Sequence, residues 1–306
     1  MSALLEGRAI RKVFGGVRRS LRKILLAVLE FHAKIATRSY FVGPGLEDAL
    51  RACRRLEGLR IATTISYWNT LDEPPQQVTA AYLGALDALG AEKLDAYLSM
   101  KAPFIGFDRG LFNTIVEKSR DTRVRLHFDA QGYSEVDDTF AMIAEARARD
   151  LDVGCTLPGR WRRSLADAEW AVDRRVPVRV VKGQLPDPTA PDDDLREAFL
   201  AVIDRLAGRA RRVAVATHDA PLARRALERL QGTKTPCGVE LLYGLPLEPV
   251  RRVAEELGVN VRIYIPYGHG FLPYWFAQGY KRPVVFWWML RDLCRTPFQR
   301  LPRARS

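Results

Sequence analysis

The chain has 306 residues, 47% of them hydrophobic, which suffices for one barrel of about 250 residues with end extensions and excludes disorder over most of its length. Its formal net charge of +12 comes from dispersed arginines, and without any recognisable nucleic-acid motif we expect no nucleic-acid partner. Four cysteines lie far apart without a CxxC pair, which argues against structural zinc and indicates a reducing, cytoplasmic location.

The first part of the chain predicts an amphipathic helix over residues 21–35, because apolar residues recur there at helical spacing. Its longest uncharged run, 24–29, is too short to span a bilayer. Neighbouring basic residues leave two interpretations open: packing on the rest of the protein, or peripheral contact with the inner face of a membrane. The aromatic segment 283–290 leaves the same choice. We expect an N-terminal helical extension over 1–57, and a C-terminal helix and basic tail over 284–306.

Between these segments, short apolar runs alternate with helix-patterned stretches. The predicted strands cover 59–65, 96–100, 124–128, 153–157, 178–181, 213–216, 239–242 and 261–265. The predicted helices cover 75–89, 137–149, 164–174, 194–206, 219–232 and 247–257, and Ser164 to Asp167 resembles a capping box. This rhythm predicts an α/β fold, a (β/α)8 TIM-type barrel over 58–283. A doubly wound open sheet is the alternative, but no GxGxxG follows a strand.

Polar side chains stand at the ends of the predicted strands. They are Lys101, Asp129, Arg179, Lys182, His218, Tyr243, Tyr264 and Tyr267. A barrel brings such ends to one mouth, so we expect a shared site. The set is rich in cations and suits an anionic ligand, either phosphates or a ring that gains negative charge. The histidines lack a metal-ligand spacing and no GxSxG is present, so we expect neither a metal site nor a serine hydrolase.

Five motifs occur in one order within residues 40–282. They are LSMK at 98–101, VRVVKG at 178–183, ATHD at 216–219, LLYG at 241–244, and RIYIPYG at 262–268 with Pro273 and Tyr274 behind it. They resemble S-V-K, R-L-V-K-G-A-Y, A-T-H-N, M-L-Y-G and R-x-Y-x-P-x-G with its following P-Y in the proline dehydrogenase family. That family oxidises L-proline to pyrroline-5-carboxylate. The resemblance implies a modified β/α barrel that holds FAD without a Rossmann domain.

The resemblance also implies roles for individual residues. Arg179 would approach the flavin N5 region. The rest of the cofactor would be lined by Lys182, Gly183, Thr217 and His218, with Tyr243 and Gly244 also on the cofactor side. The substrate side would hold Lys101, Asp129, Tyr264 and Tyr274. Electrons would pass on to a quinone or another acceptor, which would give a membrane-touching terminus a role.

The chain departs from the family pattern at the substrate carboxylate. The family's Y-L-x-R-R-x-x-E helix places two arginines on that carboxylate, whereas this chain has Ala277 and Gln278 there, with Lys281 at the glutamate position. Two lost charge-assisted bonds, worth about 1.5–3 kcal/mol each, would cut affinity roughly a hundredfold or more. The family's Q-A-Y-L becomes PGRW at 158–161, so a glutamine expected at the flavin pyrimidine edge is missing, and Arg160 would supply a different donor there. Residues 184–186 (QLP) replace aromatic residues.

These observations predict a flavin-dependent oxidoreductase of amino-acid metabolism that transfers a hydride to FAD. Its substrate would be proline, a proline derivative or a related cyclic or secondary amine, oxidised at a C–N bond. Two alternatives stay open. One is an ordinary L-proline dehydrogenase with a substituted carboxylate clamp. The other is a non-catalytic relative of the same fold that acts as a binding protein.

Overall fold

A computed structural model of the chain describes residues 42–189 and 194–270. Within them, eight parallel strands close into a barrel in chain order. The strands are β1 (Ala62–Tyr67), β2 (Ala96–Met100), β3 (Leu126–Phe128), β4 (Val153–Pro158), β5 (Val178–Val181), β6 (Val213–Ala216), β7 (Cys237–Leu242) and β8 (Asn260–Tyr267). The barrel predicted from the sequence is therefore confirmed, and the open-sheet alternative is wrong.

Helices follow the first seven strands, and one precedes them. They are α1 (Leu46–Glu57), α2 (Pro75–Glu92), α3 (Arg109–Thr122), α4 (Val136–Ala148), α5 (Ser164–Asp173), α6 (Leu195–Leu206), α7 (Ala220–Gly232) and α8 (Glu248–Glu256). Single 3-10 turns cover Ala102–Ile105 and Tyr133–Glu135. Helix α3 was not predicted from the sequence, although Phe112, Ile115 and Val116 form its buried face.

Aspartates begin three of the helices. The carboxylates of Asp108, Asp194 and Asp219 accept backbone N–H groups in the first turns of α3, α6 and α7, at 2.8–3.4 Å. The capping box expected from Ser164 to Asp167 is wrong. Arg163 occupies the N-cap position of α5 and gives no side-chain cap. The Ser164 hydroxyl instead donates to the Pro158 carbonyl at 2.6 Å, tying the helix to the end of β4.

Alternation along the strands divides the protein's interior into two zones. One set of strand residues, such as Ile65, Leu98 and Val180, is fully buried in the apolar core that the helices cover. The other set faces the barrel axis and is largely polar, with Thr64, Ser99 and other polar residues in contact across it. Barrel interiors of this fold are usually filled by branched apolar side chains. The polar axis is therefore the feature that needs an explanation.

The barrel closes where β8 meets β1, with six residue pairs in register from Ala62–Arg262 to Tyr67–Tyr267. Helix α1 packs against both strands at this seam. Residues 1–41 and 271–306 lie outside the described part, as do the amphipathic segments proposed there. The domain boundaries at 57 and 283 stay predictions. No helix in residues 42–189 or 194–270 is long and apolar enough to cross a membrane.

Candidate active site

Arg179 is the centre of the polar axis. It stands on β5 with 3% of its surface exposed. Its guanidinium donates to Glu240 at 2.6 Å, to Ser99 at 2.9 Å and to Thr156 at 3.1–3.2 Å, and it also contacts Asp129. These partners come from β7, β2, β4 and the end of β3, so that one side chain connects strands around the barrel. Because all three nitrogens of the guanidinium donate hydrogen bonds, the group is fixed in one orientation.

Asp129 connects Arg179 to the upper part of the axis, at the ends of the strands. Its second oxygen accepts the Tyr264 hydroxyl at 2.7 Å and lies 3.7 Å from the Lys101 ammonium. The Tyr264 ring centre is 5.0 Å from the Arg179 guanidinium carbon. Burial raises the pKa of Tyr264 well above its usual value, and the neighbouring Asp129 charge acts in the same direction. Tyr264 therefore stays protonated and acts as a hydrogen-bond donor.

Lys101 is the buried cation nearest the barrel mouth. Its ammonium donates to the Ser66 hydroxyl at 2.8 Å and to the Tyr67 carbonyl at 3.1 Å, and it lies 5.3 Å from the Trp68 ring centre. Burial lowers the pKa of Lys101 to about 8, with the Asp129 charge opposing that shift and the Arg179 charge adding to it. Lys101 can therefore change its protonation state close to physiological pH.

Glu240 supports Arg179 from the lower side of the network, and only 1% of its side chain is exposed. One carboxylate oxygen accepts from Arg179 and from the Thr64 hydroxyl at 2.9 Å, while the other accepts from the Tyr97 hydroxyl at 2.6 Å. Burial raises the pKa of Tyr97 to about 12, which keeps this donor protonated. Glu240 was not predicted from the sequence, because it lies inside an apolar strand, one residue before the LLYG motif begins.

The charges within this network balance. Lys101 and Arg179 carry two positive charges, and Asp129 and Glu240 carry two negative charges. The charges therefore cancel among these four residues, whereas the cation-rich set predicted at the strand ends also includes Lys182 and His218. Counting residues at strand ends missed Glu240, whose position is set by the inward-facing register of β7. The network is consequently a set of paired charges in fixed positions, and not an open pocket with an excess of positive charge.

A second group lies at the mouth, beyond the end of β5. The Lys182 ammonium donates to Asp219 at 2.9 Å, and Arg196 contacts the same carboxylate at 2.8 Å. Lys182 keeps 36% of its side chain exposed. The next residue, Gly183, has φ +89°, and a Cβ there would stand 3.0 Å from Pro158 Cβ and 3.1 Å from Arg160 Cβ. Glycine is required at this position for both reasons.

His218 connects the ends of β6 and β7. Its Nδ1 lies 3.1 Å from the Pro246 carbonyl, and its Nε2 lies 3.1 Å from the backbone N–H of Leu242. This pair of contacts requires a neutral ring with the proton on Nδ1, and burial lowers the pKa of His218 in agreement. With both nitrogens engaged, the ring can offer a ligand its surface but no further hydrogen bond. Among its neighbours, the Thr217 hydroxyl accepts the Asp219 N–H at 3.2 Å.

The predicted site residues thus fall into three places. Arg179, Asp129, Tyr264 and Lys101 form one hydrogen-bonded network in the barrel axis. The mouth group and the β6–β7 connection hold Lys182, Gly183, Thr217, His218, Tyr243 and Gly244. Tyr274, together with the altered positions 277, 278 and 281, lies outside the described residues. No cluster of three or more metal-ligating side chains occurs within the part of the chain that the structure describes.

The chain is similar to several proteins named proline dehydrogenase. No protein-family model matches the chain. Proline dehydrogenase 1 of Bacillus subtilis subsp. natto is 23% identical over 283 residues, which cover 87% of this chain and 93% of that protein. The proline dehydrogenase of Deinococcus radiodurans is 25% identical over 271 residues, covering 80% of this chain and 85% of the relative.

Solved structures of proline utilization A share the fold. The protein from Bdellovibrio bacteriovorus matches with a TM-score of 0.66 and 17% identity over 78% of this chain and 32% of its own length. The protein from Corynebacterium freiburgense matches with a TM-score of 0.63 and 16% identity over 86% and 33% of the two chains. The chain therefore spans about a third of these larger proteins, and the likeness at this identity concerns the barrel alone.

Proposed function

We infer that this chain is a member of the proline dehydrogenase family and a FAD-dependent oxidoreductase that oxidises a C–N bond of proline or of a related cyclic or secondary amine. The observation that carries this proposal is the buried network around Arg179. A barrel that only needed stability would fill its axis with apolar side chains. Here it holds two ion pairs, whose desolvation is costly, in the strand segments that resemble the family's motifs.

The residues at the mouth suit a dinucleotide with a flavin ring. Lys182 supplies a partly exposed cation for a phosphate or ribose, and Gly183 lets another group approach the backbone closely. Arg179 provides a fixed positive group for the ring end, where negative charge develops on reduction. His218 contributes only the surface of its ring, because its nitrogens are engaged. Thr217, Tyr243 and Gly244 complete the proposed cofactor-binding set.

When bound, FAD supplies the acceptor for the hydride that leaves the carbon next to the amine nitrogen. The nitrogen also gives up a proton, so the substrate must enter as the neutral amine or lose that proton in the site. Lys101, with its lowered pKa, and Asp129 are the groups we propose to hold the amine and its proton. Tyr264 donates to Asp129 and keeps that carboxylate in place.

The substrate class follows from the charges of the described site together with the altered clamp. Arginines are absent from the two positions where the family binds the carboxylate, and both positions lie outside the described residues. We therefore propose that a carboxylate contributes less to binding of the preferred substrate here than it contributes to binding of L-proline in that family. A quinone or another electron acceptor would take the electrons from the reduced flavin. Contact of the terminal segments with a membrane remains a prediction.

The test is the absorption spectrum of the purified protein under anaerobic conditions. We expect flavin bands, either as purified or after addition of FAD, and bleaching of these bands by at least one amine from a panel. The panel contains L-proline, an N-substituted proline and pyrrolidine, which separates a carboxylate-dependent site from one that binds the ring alone. Arg179→Met serves as the matched variant, for which we expect no bleaching.

Two outcomes would contradict the proposal. If the folded protein takes up no FAD, the proposed cofactor is wrong and a binding function is supported instead. If the protein binds FAD but none of the amines reduces the flavin, the proposed substrate class is wrong. Turnover of L-proline at low millimolar concentration, in contrast, would identify an ordinary proline dehydrogenase and remove only the proposed independence from the carboxylate.

A further inference from the structure

Glu240 is the one charged residue of the network of Lys101, Asp129, Arg179 and Glu240 that has no role in the proposed chemistry. It is one of two carboxylates that contact Arg179, and it is the more deeply buried, with 1% of its side chain exposed against 12% for Asp129. Asp129 also faces Lys101 and Tyr264, on the substrate side. Glu240 instead contacts Thr64 and Tyr97, which lie on strands β1 and β2 across the barrel.

Three donors surround the carboxylate of Glu240. The guanidinium of Arg179 and the hydroxyls of Thr64 and Tyr97 reach its two oxygens at 2.6–2.9 Å. These contacts include a charge-assisted bond, and together they fix the orientation of the carboxylate towards Arg179. A neutral glutamine would make the same Arg179 contact at lower cost of burial. The retained negative charge at this position therefore calls for an electrostatic reason.

We propose that Glu240 is a positioning residue that orients Arg179 and would lower the reduction potential of a flavin held at the site, an inference that rests on the proposed function. Shared between Asp129 and Glu240, the guanidinium offers the flavin less positive charge than an arginine with one partner. Less positive charge near the ring stabilises the reduced, more negative flavin less. Glu240 therefore keeps the potential lower than Arg179 and Asp129 alone would, and favours onward transfer of electrons.

The experiment compares wild type with Glu240→Gln as FAD-loaded proteins in spectroelectrochemical titration. Glutamine keeps the shape and can still accept from Arg179, but it removes the charge. We expect the ratio of reduced to oxidised flavin at a fixed applied potential to rise at least tenfold, which corresponds to about 30 mV for a two-electron couple. Glu248→Gln, the same change at the exposed start of α8, is the matched control and should leave the ratio unchanged.

Glu240→Asp should give an intermediate effect, and it keeps the test possible if the glutamine variant does not fold. The shorter side chain withdraws its charge from Arg179, so the ratio should rise by less than in Glu240→Gln. A purely structural role would lower thermal stability in these variants without moving the potential. A ratio that stays at the wild-type value or falls below it, in whichever of the two variants folds and binds FAD, would falsify the inference.

The two levels of the proposal fail separately. Wild-type protein without bound flavin contradicts the proposed function itself. Wild-type protein that carries reducible flavin, together with Glu240 variants of unchanged potential, contradicts only the role assigned to Glu240.

Discussion

Arg179 determines more of the barrel interior than any other described residue in the axis. Its guanidinium contacts two carboxylates and two hydroxyls that are nearly inaccessible to solvent. Burial alone would favour the neutral guanidine, yet the carboxylates of Glu240 and Asp129 raise the pKa of Arg179 above its ordinary value. The residue is therefore a permanent cation, and its role depends on the partners that hold it.

Replacing Arg179 by methionine leaves Asp129 and Glu240 buried without their common partner. Breaking a buried pair in this way costs about 3–5 kcal/mol, so we expect the free energy of unfolding to fall by that amount. Urea unfolding of the protein without cofactor, followed by circular dichroism, measures it. Arg179→Lys is the control: it keeps the charge but loses the forked geometry, and should lose less stability. Equal losses would contradict the role of the charge.

Lys101 gives a prediction of pH dependence. Its pKa of about 8 in the folded state lies below the ordinary value of 10.5, so between these pH values the unfolded chain binds more protons than the folded one. Stability should therefore rise with pH through this window, by at most about 3 kcal/mol, and show no such slope below pH 8. Comparison with Lys101→Met by urea unfolding isolates this contribution. The same slope in both proteins would show that another group causes it.

At the residue level, the sequence predicted the members of the network that follow strands or belong to the family-like motifs, and missed Glu240 and Ser99. Lys101, Asp129 and Tyr264 stand at or near strand ends, where a polar residue after an apolar run is conspicuous. Glu240 and Ser99 lie within strands, and their role becomes apparent only once the register across the barrel is known. Pair contacts over 50–176 positions have no signature in a single sequence.

At the level of elements, Asp219 joins the start of α7 to the mouth of the barrel. One of its oxygens accepts the Leu222 N–H at 3.2 Å, while the other contacts Lys182 and Arg196. Burial opposes ionisation of Asp219, but hydrogen bonds from Lys182 and the first turn of α7 outweigh it, so that its pKa is lowered. The residue therefore stabilises a helix and fixes a lysine of the proposed cofactor site.

Two substitutions separate these roles. Asp219→Ala removes both the helix cap and the ion pairs, and should lower the free energy of unfolding by about 0.5–2 kcal/mol. Asp219→Asn retains the cap, and since exposed ion pairs contribute at most about 1 kcal/mol, it should lose less. Thermal or urea unfolding of the two proteins tests the order. If FAD affinity changes equally in both variants, the change comes from the lost ion pair with Lys182, because only Asp219→Ala also lacks the helix cap.

The elements themselves were well predicted where the sequence gives an unambiguous pattern. Strands β2, β5 and β6 begin and end as expected, because each is a short apolar run with a clear boundary. Strand β1 begins three residues later than expected, since Arg60 adopts a left-handed conformation after α1. Helix α3 was missed because its sequence mixes glycine, threonine and charged residues, and its buried face emerges only against the neighbouring helix and strands.

For the whole molecule, the barrel combines an apolar shell with a polar axis. The polar axis provides the candidate active site but stabilises the fold less than an apolar axis would. Replacing a buried ion cluster by apolar residues of similar volume is often neutral or stabilising by about 1–4 kcal/mol. We therefore expect the triple variant Asp129→Leu, Arg179→Met, Glu240→Leu to be more stable than Arg179→Met alone, and to lose FAD-dependent reduction entirely. Urea unfolding and the anaerobic amine titration check the two parts. A triple variant less stable than the single one would contradict this account.

The closed order of the strands also determines when the charges become buried. Thr64 and Glu240 are 176 positions apart, and Asp129 and Tyr264 are separated by 135. Until the last strand joins the first, the incomplete sheet is open at one side, and water can reach the ionised groups along the future axis. Their dehydration therefore requires the complete ring, because each ion is shielded from water only when the strands that carry its partners have closed around the axis. Ring closure thus links completion of the barrel to formation of the dry interior of the site.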